Sequence, residues 1–241
     1  MTEREPIESS VTPVIRIAAL AGRVFAQAMT RVRVEGDLAA IPGEGPVILA
    51  SNHVSNLDGV VLGAWLVPRI PRRIHWLGKK EMFDWPVIGW LARNGGVHPV
   101  DRGGADIEAF RLAQRILEDG HVLLIFPEGT RSPDGRLQEA RDGLAMLALR
   151  TNAPIVPIGV ADSDRVWPRG QKLPRPRAGN RVTVRVGTPF RLADELPAGV
   201  DRKTAKGLAT DLIMRRIAAL LPERQRGAYG AEPGVLAPPV R

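Results

Sequence analysis

The chain has 241 residues, 44% of them hydrophobic, and its 34 Lys and Arg residues against 26 Asp and Glu residues give a net charge of +8. A chain of this length fits one α/β domain with a large core, and its charge indicates an anionic partner such as nucleic acid, an anionic lipid surface or a phosphorylated substrate. The lack of cysteine excludes disulfides, thiolate nucleophiles and cysteine-ligated zinc, and with four histidines we expect no histidine metal cluster.

The N-terminal part of the chain predicts a disordered start followed by an amphipathic helix. Residues 1–12 are polar, and we expect them to be disordered. Apolar residues recur at helical spacing over residues 14–30, so we assign residues 13–34 to an amphipathic helix that can contact a membrane. The recurring apolar residues are Val14, Ile17, Leu20, Ala21, Val24, Phe25 and Ala28. Two interpretations stay open, because such a helix can cover the core or lie in the interface of a bilayer.

The same stretch argues against a spanning helix. Arg16, Arg23 and Arg31 interrupt it, and no run of eighteen uncharged apolar residues occurs elsewhere. The acidic first ten residues also lack the pattern of a signal peptide. We therefore expect the protein to stay on the cytoplasmic side of the membrane.

From Arg31 onward, short β runs alternate with helical stretches, which predicts an α/β fold with a mixed, mostly parallel sheet flanked by helices. The predicted strands are Arg31–Glu35, Pro46–Ser51, Arg73–Gly78, Val97–Val100, His121–Phe126, Pro154–Val160 and Arg181–Val186. The predicted helices are Leu57–Val67, Trp85–Asn94, Ala105–Asp119, Glu139–Arg150 and Thr204–Leu221. We assign residues 35–221 to one domain and residues 222–241, rich in Pro, Gly and Ala, to a flexible tail.

His53 and Asp58 follow the first apolar strand, where sites form in sheets of this kind. Histidine is a natural general base near neutral pH, and a carboxylate that accepts its other ring N–H fixes the tautomer. On one regular helix, side chains five residues apart diverge by roughly 140°. The pair can therefore meet only if His53 ends the strand and Asp58 lies in the first turn of the next helix. Ser55 and Asp58 have the spacing of a helix-capping box, which supports this geometry but leaves open that Asp58 is only a cap.

Glu128, Gly129, Thr130 and Arg131 follow the second apolar strand. Arginine suits bidentate contact with phosphate, glutamate can accept hydrogen bonds from hydroxyl groups, and glycine lets a ligand approach the backbone. The alternative is an ion pair on an ordinary loop. Arg102 ends another predicted strand beside a glycine, and a phosphate could reach it as well.

Four blocks of the sequence together resemble the 1-acyl-glycerol-3-phosphate acyltransferases of the glycerophospholipid acyltransferase superfamily. They occur in the order found in that family. The blocks are NHVSNLD at 52–58, GGVHPVDR at 95–102, FPEGTRS at 126–132 and APIVPIGV at 153–160. The second block departs from the pattern at His98, where apolar residues are common, and this departure bears on the choice of acceptor.

The resemblance implies transfer of a fatty acyl group from acyl-CoA or acyl carrier protein to the sn-2 hydroxyl of 1-acyl-glycerol 3-phosphate, which gives phosphatidic acid. It implies no metal and no cofactor besides the thioester. His53 would be the general base and Asp58 would orient it, without an acyl-enzyme. Backbone N–H groups of residues 54–56 are the candidate oxyanion donors. The implied substrate-binding residues are Lys79, Arg102, Glu128, Gly129, Thr130 and Arg131.

A lysophospholipid acceptor lies in a bilayer, so we expect peripheral contact with the cytoplasmic face of the cell membrane. Three segments could make it: the N-terminal helix, residues 84–91 with two tryptophans, and the basic residues 165–181. Each has a structural alternative, namely a helix packed on the core, core tryptophans and a solvated basic loop.

Other functions remain open at this point. A nucleic-acid-binding module would use the same positive charge, but the chain lacks aromatic stacking platforms and binding motifs, so we expect no nucleic acid partner. A serine esterase would need a G-x-S-x-G elbow, which is absent, although Ser55 and Ser132 remain available as nucleophiles. Within the acyltransferases, the acceptor could also be glycerol 3-phosphate or another lyso-lipid.

Overall fold

The computed structural model describes residues 7–101, 107–176 and 179–230 and contains a seven-stranded sheet with helices on both faces. The strands are β1 (Arg31–Glu35), β2 (Val47–Ser51), β3 (Ile74–Lys79), β4 (Val97–Val100), β5 (Val122–Ile125), β6 (Ile155–Ala161) and β7 (Arg181–Val186). The helices are α1 (Pro13–Met29), α2 (Leu57–Leu66), α3 (Pro86–Asn94), α4 (Ile107–Glu118), α5 (Gly143–Thr151), the short α6 (Leu192–Glu195) and α7 (Arg202–Ala219). The predicted α/β class is confirmed, and of these elements only α6 was not predicted.

The strand order is β1-β7-β6-β2-β5-β3-β4. The five strands from β6 to β4 run parallel, while β7 is antiparallel to β6 and parallel to β1. Strands β2 and β5 are therefore neighbours whose carboxyl ends meet at one edge of the sheet. All five residues of β2 are buried, as its continuous apolar sequence predicts for a strand covered on both faces.

Two helical layers divide the core according to the alternation of side chains along the strands. Leu49 and Val122 face the layer that contains α1 and α2. Ile48 and Leu123, each one residue away, face α4, α5 and α7. In β2 and β5 the apolar run thus supplies both halves of the core.

Helix α1 packs on α2 through one side and leaves another apolar side uncovered. Thr12 caps it by accepting the N–H of Ile15, and Ile15, Ala19 and Ala26 are buried. The predicted apolar face is instead exposed. Its exposed fractions are 68% at Ile17, 64% at Leu20 and 62% at Val24.

The boundaries of the N-terminal segment differ from the prediction. Helix α1 ends at Met29, because Thr30 takes an extended conformation and its N–H closes the last turn on Ala26. Residues 31–34 pair with β7, so they belong to the sheet and not to the helical segment. Part of the expected disordered start also makes contacts, since Ser9 O accepts the N–H of Arg73. Residues 1–6 lie outside the described residues.

The end of the chain is also more ordered than predicted up to Gly230. Two short 3-10 helices, Glu223–Gln225 and Gly227–Tyr229, lie in this stretch, and Gln225 at the end of the first is fully buried. The side chain of Gln225 donates to Gly135 O and accepts the N–H of Asp162, so its amide is satisfied in the core. Residues 231–241 of the expected tail lie outside the described residues.

No helix in the described ranges combines the length and apolar character that crossing a bilayer requires.

Three histidines meet between the sheet and α4. His75 Nδ1 lies 3.0 Å from His98 Nε2, and the ring of His121 is 5.3 Å from that of His75. Burial, together with repulsion from His98, His121 and Arg73, lowers the pKa of His75 to about 3. Burial also lowers the pKa of His98. His98, the departure in the second sequence block, is thus paired with a second histidine inside the fold.

His75 should make the protein less stable as the pH falls. Its pKa in the folded chain lies below the ordinary histidine pKa of 6.5 that holds in the unfolded chain, so the unfolded state takes up the proton first and stability is lost below pH 6.5. Between pH 7 and pH 5, we expect His75 to remove about 2 kcal/mol from the free energy of unfolding. Denaturant titrations at both pH values check this, and the variant His75→Gln should lose about 2 kcal/mol less. Equal losses in the two proteins would contradict the prediction.

Candidate active site

His53 and Asp58 meet at the carboxyl end of β2, as the sequence predicts. His53 Nδ1 lies 2.9 Å from Asp58 Oδ2. The His53 side chain is 14% exposed and Asp58 is fully buried. The His53 ring also stacks on Phe126, with centroids 4.1 Å apart. Because Nδ1–H donates to the carboxylate, Nε2 carries the lone pair that can accept a proton.

The Asp58 carboxylate contacts His53 and also caps helix α2, so both interpretations of the sequence hold for the same side chain. Asp58 Oδ2 accepts the N–H of Ser55, while Ser55 Oγ accepts the N–H of Leu57 at the start of α2. This reciprocal pair is a capping arrangement. It places Asp58 in the first turn of α2 while His53 stays at the end of the strand, which is the geometry that the five-residue spacing requires.

Two further donors hold the Asp58 carboxylate. Oδ2 also accepts the N–H of Val54 at 2.7 Å, and Oδ1 accepts the hydroxyl of Ser163 at 2.5 Å. The expectation of oxyanion donors among residues 54–56 is therefore wrong. The N–H groups of Val54 and Ser55 are used by Asp58, and that of Asn56 donates to Trp167 O.

Glu128 holds the backbone of His53. Its Oε1 accepts the N–H of His53 at 2.6 Å and its Oε2 accepts the N–H of Gln138 at 2.9 Å. The carbonyl of His53 accepts the N–H of Ser132 at 2.8 Å. The loop after β5 thus forms hydrogen bonds with both the N–H and the carbonyl of His53. This also explains why α5 begins at Gly143 and not at the predicted Glu139: Gln138 and the residues after it stay bonded to this loop.

The Glu128 carboxyl is 3% exposed. This burial raises its pKa to about 8; its two backbone donors oppose the rise, and repulsion from Asp58 and Asp134 adds to it. Both of its oxygens accept backbone N–H groups of the protein itself, whereas the sequence led us to expect that they bind the glycerol of the acceptor.

Gly129 and Thr130 shape the loop between Glu128 and Arg131. Gly129 has φ of +69°, and a Cβ there would lie 2.9 Å from Arg141 Cδ. The positive φ favours glycine, and the lack of a side chain leaves room for Arg141, so the role of Gly129 here is to permit the turn and this packing. Thr130 is half-buried beside it.

Arg131 lies beside the dyad together with a second arginine that the sequence blocks do not contain. Its guanidinium donates to Asn56 Oδ1, and its carbonyl accepts from Arg169 Nη1 at 2.9 Å. Burial lowers the pKa of Arg131, repulsion from Arg169 lowers it further, and Asp58 acts the other way. Two adjacent guanidinium groups at the edge of a loop are suited to an anion.

Residues 163–175 cover the start of α2. The carbonyl of Trp167 accepts from Ser55 Oγ, Pro168 forms a bridge to Ser55, and Gln171 O accepts from Asn56 Nδ2. The sequence indicated only a basic loop here. Ser163 could have been identified as a candidate site residue, because it is a polar residue that closely follows β6, a strand that ends at this edge of the sheet.

The other predicted site residues lie farther along the same edge or cannot be placed. Lys79 ends β3, two strands from β2, and its Nζ pairs with Glu81 Oε1 at 2.9 Å. Arg102 lies outside the described residues. Within the described residues, no group of three His, Asp or Glu side chains could hold a metal ion.

The two candidate serine nucleophiles are committed to other bonds. Ser55 Oγ donates to Trp167 O at 2.7 Å, and Ser132 Oγ donates to Asp134 Oδ1 at 2.9 Å. Both serines are buried. The arrangement therefore fits direct attack by a bound hydroxyl, with His53 as the base.

Ser163→Ala should lower kcat of the expected acyl transfer about tenfold, with little change in KM for the acceptor. The variant removes one hydrogen bond to a buried carboxylate, and loss of about 1.4 kcal/mol in the transition state corresponds to a factor of ten. KM should stay within about twofold, because Ser163 contacts Asp58 and not a surface for substrate. Thr151→Ala is the matched control, since it removes a hydroxyl bonded to Leu147 O at the opposite edge of the sheet. Unchanged kcat in Ser163→Ala would contradict the role of Ser163.

Comparison with known proteins agrees with this arrangement. The model of a family described as Acyltransferase matches residues 31–161. The chain is 28% identical over 159 residues to the 1-acyl-sn-glycerol-3-phosphate acyltransferase LPAT1 of Arabidopsis thaliana chloroplasts, covering 65% of this chain and 43% of that protein. It is 35% identical over 134 residues to the 1-acyl-sn-glycerol-3-phosphate acyltransferase of Limnanthes alba, covering 54% and 46%. The chain thus spans less than half the length of these curated relatives.

A solved structure shares the fold. The crystal structure of PlsC, the 1-acyl-sn-glycerophosphate acyltransferase of Thermotoga maritima, superposes with a TM-score of 0.66 at 24% identity, covering 86% of this chain and 79% of that one. The family match begins at Arg31, the first residue of β1, and ends at Ala161, the last residue of β6, so it contains both the His53–Asp58 pair and the loop after β5. The chain belongs to the acyltransferase family.

Proposed function

We propose that the chain transfers an acyl group from acyl-CoA or acyl carrier protein to the sn-2 hydroxyl of 1-acyl-glycerol 3-phosphate, producing phosphatidic acid. The observation that carries the proposal is the contact of 2.9 Å between His53 Nδ1 and the fully buried Asp58. It leaves Nε2 of a partly exposed histidine as a base beside two arginines. The names of the plant relatives support the choice of acceptor.

The reaction follows from this geometry. His53 Nε2 removes the proton of the acceptor hydroxyl as its oxygen attacks the thioester carbonyl. The tetrahedral intermediate collapses, the C–S bond breaks, and the imidazolium returns the proton to the departing thiolate. Asp58 stabilises the imidazolium and keeps the ring oriented. A thioester is already activated, so positioning and proton transfer supply most of the required acceleration.

Arg131 and Arg169 bind the acceptor phosphate, and Lys79 at the end of β3 is a further basic group at this edge of the sheet. Arg102, which lies outside the described residues, is proposed as a phosphate ligand from its place in the second sequence block alone. Arg169 Nη1 donates to the backbone carbonyl of Arg131 at 2.9 Å, and the repulsion between the two guanidinium groups falls when a dianionic phosphate binds between them. Glu128 acts through His53, whose backbone it holds, and Gly129 and Thr130 form the turn that presents Arg131.

An acceptor panel tests this assignment. With one acyl-CoA and lipid mass spectrometry as the readout, 1-acyl-glycerol 3-phosphate should be preferred over glycerol 3-phosphate and over monoacylglycerol, which has no phosphate. Arg131→Gln and Arg169→Gln should each raise KM for the phosphorylated acceptor about tenfold or more, since a charged hydrogen bond contributes about 1.5–3 kcal/mol. Their KM for monoacylglycerol should not change. Equal loss on both acceptors would contradict phosphate binding by these arginines.

The same chain contacts the cytoplasmic face of the cell membrane as a peripheral protein. Helices α1 and α3 pack against each other, and both expose large apolar side chains, which together we call the apolar surface. Its members are Ile17, Leu20, Val24, Trp85, Val87 and Trp90, each more than half exposed. Tryptophan and aliphatic side chains in such a cluster favour the interfacial region of a bilayer. Phe25 on α1 contacts Trp167, with ring centroids 6.1 Å apart, which connects this surface with the segment over the active site.

A further inference from the structure

A cavity of about 490 Å³ lies between α1 and the turn that follows α2. Helix α2 carries Asp58 in its first turn, so this cavity is at the opposite end of that helix from the catalytic pair. Its volume falls within the range of sites for small molecules. The residues that line it include Arg16, Leu20, Arg23, Ala64, Arg69 and Ile70.

Three arginines point to the kind of ligand. Arg16 and Arg23 lie seven residues apart on α1, which places them on one side of the helix, and Arg69 comes from the turn after α2. Among the described residues, none that lines the cavity is acidic. In the part of the chain that the structure describes, none of the three forms an ion pair.

Two of these guanidinium groups are held in place before any ligand binds. Arg23 lies over the ring of Trp65, 5.3 Å from its centroid, and Arg69 Nη1 donates to Trp65 O at 2.9 Å. Like charges around one cavity repel each other, and an anion bound between them removes this repulsion. Arginine is also the side chain whose donors match the oxygens of a phosphate.

The apolar part of the cavity continues onto the apolar surface. Leu20 both lines the cavity and is 64% exposed, next to Ile17 and Val24 on the same helix. Ala64 and Ile70 form the inner wall. A ligand with a phosphate and an apolar tail would therefore satisfy both parts, with its phosphate among the arginines and its tail leaving along α1.

We propose that this cavity binds the phosphate headgroup of one anionic phospholipid of the membrane, at a site separate from the catalytic one. The proposal rests on the proposed membrane contact and is independent of the acyl-transfer reaction. The bound lipid joins α1 to α2 and orients the apolar surface toward the bilayer.

Vesicle binding provides the first test. The full chain is sedimented with phosphatidylcholine vesicles that contain or lack phosphatidylglycerol. The variant Arg16→Gln/Arg23→Gln/Arg69→Gln should lose about fivefold in affinity per arginine for the anionic vesicles, the effect of about 1 kcal/mol for each basic residue. The matched control Arg111→Gln/Arg150→Gln/Arg202→Gln removes the same charge from α4, α5 and α7 on the other face of the sheet, and should lose less than about threefold.

A second measurement separates the cavity from the bilayer. Monomeric dihexanoyl phosphatidylglycerol should raise the melting temperature of the wild type and of the control variant, but not of the cavity variant. Arg16→Gln alone should weaken the shift without altering the melting temperature of the free protein, because the side chain of Arg16 has no ion pair within the described residues.

The outcomes distinguish the two proposals. Vesicle binding that is equal in all three proteins, with no shift by the short-chain lipid, overturns the cavity site and leaves the membrane contact standing. A short-chain lipid shift that depends on the arginines, without vesicle binding, supports a phospholipid site in the cavity but overturns both the membrane contact and the binding of a membrane lipid there. An equal shift with inorganic phosphate or coenzyme A at the same concentration would show a site for soluble phosphates and overturn the lipid assignment.

Discussion

Replacing His53 by alanine should lower kcat of acyl transfer by about 100- to 10,000-fold, the usual contribution of a general base. In the proposed mechanism the ring accepts the hydroxyl proton at Nε2, and the structure places no other histidine of the described chain beside Asp58. KM for the acceptor should change little, because we propose that arginines, and not His53, bind the phosphate. The measurement is steady-state kinetics with 1-acyl-glycerol 3-phosphate and acyl-CoA.

A double-mutant cycle makes this test sharper. Asp58→Asn should lose nearly as much kcat as His53→Ala, because a neutral amide in place of the carboxylate cannot stabilise the imidazolium that forms on His53. The double variant should be no worse than the poorer single variant, since the two residues act as one unit. His121→Ala, at the opposite end of the strands, is the control. Full activity in His53→Ala would refute the mechanism.

Glu128→Ala should lower kcat by about 10- to 100-fold, because displacement of a catalytic group by about 1 Å can reduce a rate a hundredfold. The variant leaves the N–H groups of His53 and Gln138 without their acceptors and releases one side of the His53 peptide. Glu128→Gln keeps one carbonyl acceptor but turns an amide toward the other N–H, so an intermediate loss is expected.

The division between kcat and KM separates two roles for Glu128. If Glu128 binds the glycerol of the acceptor, as the resemblance to the family implies, its removal should raise KM for the acceptor. A side chain that positions His53 lowers kcat and leaves KM near its wild-type value. A rise in KM for the acceptor, with unchanged kcat in both variants, would contradict the positioning role and support binding of the acceptor by Glu128.

The local elements could be predicted because their signals are local. The apolar runs of β2 and β5 are buried on both faces, and helical spacing located α1, α2 and α4 to within a few residues. The geometry of His53 and Asp58 could also be derived, since it depends on the end of one strand and the first turn of the next helix. Errors arose where long-range contacts override propensity, as at Gln225 and at the start of α5.

By itself, the sequence determined the α/β class, the contact between His53 and Asp58 and the edge of the sheet at which they lie, because these depend on periodicity and on spacings of a few residues. Only the tertiary structure brought Ser163 to Asp58 across 105 residues, and Glu128 to the N–H of His53 across 75. Only the packing of α1 on α2 gathered three arginines around one cavity. Such contacts depend on which strands and helices become neighbours, and no local pattern along the chain reports that order.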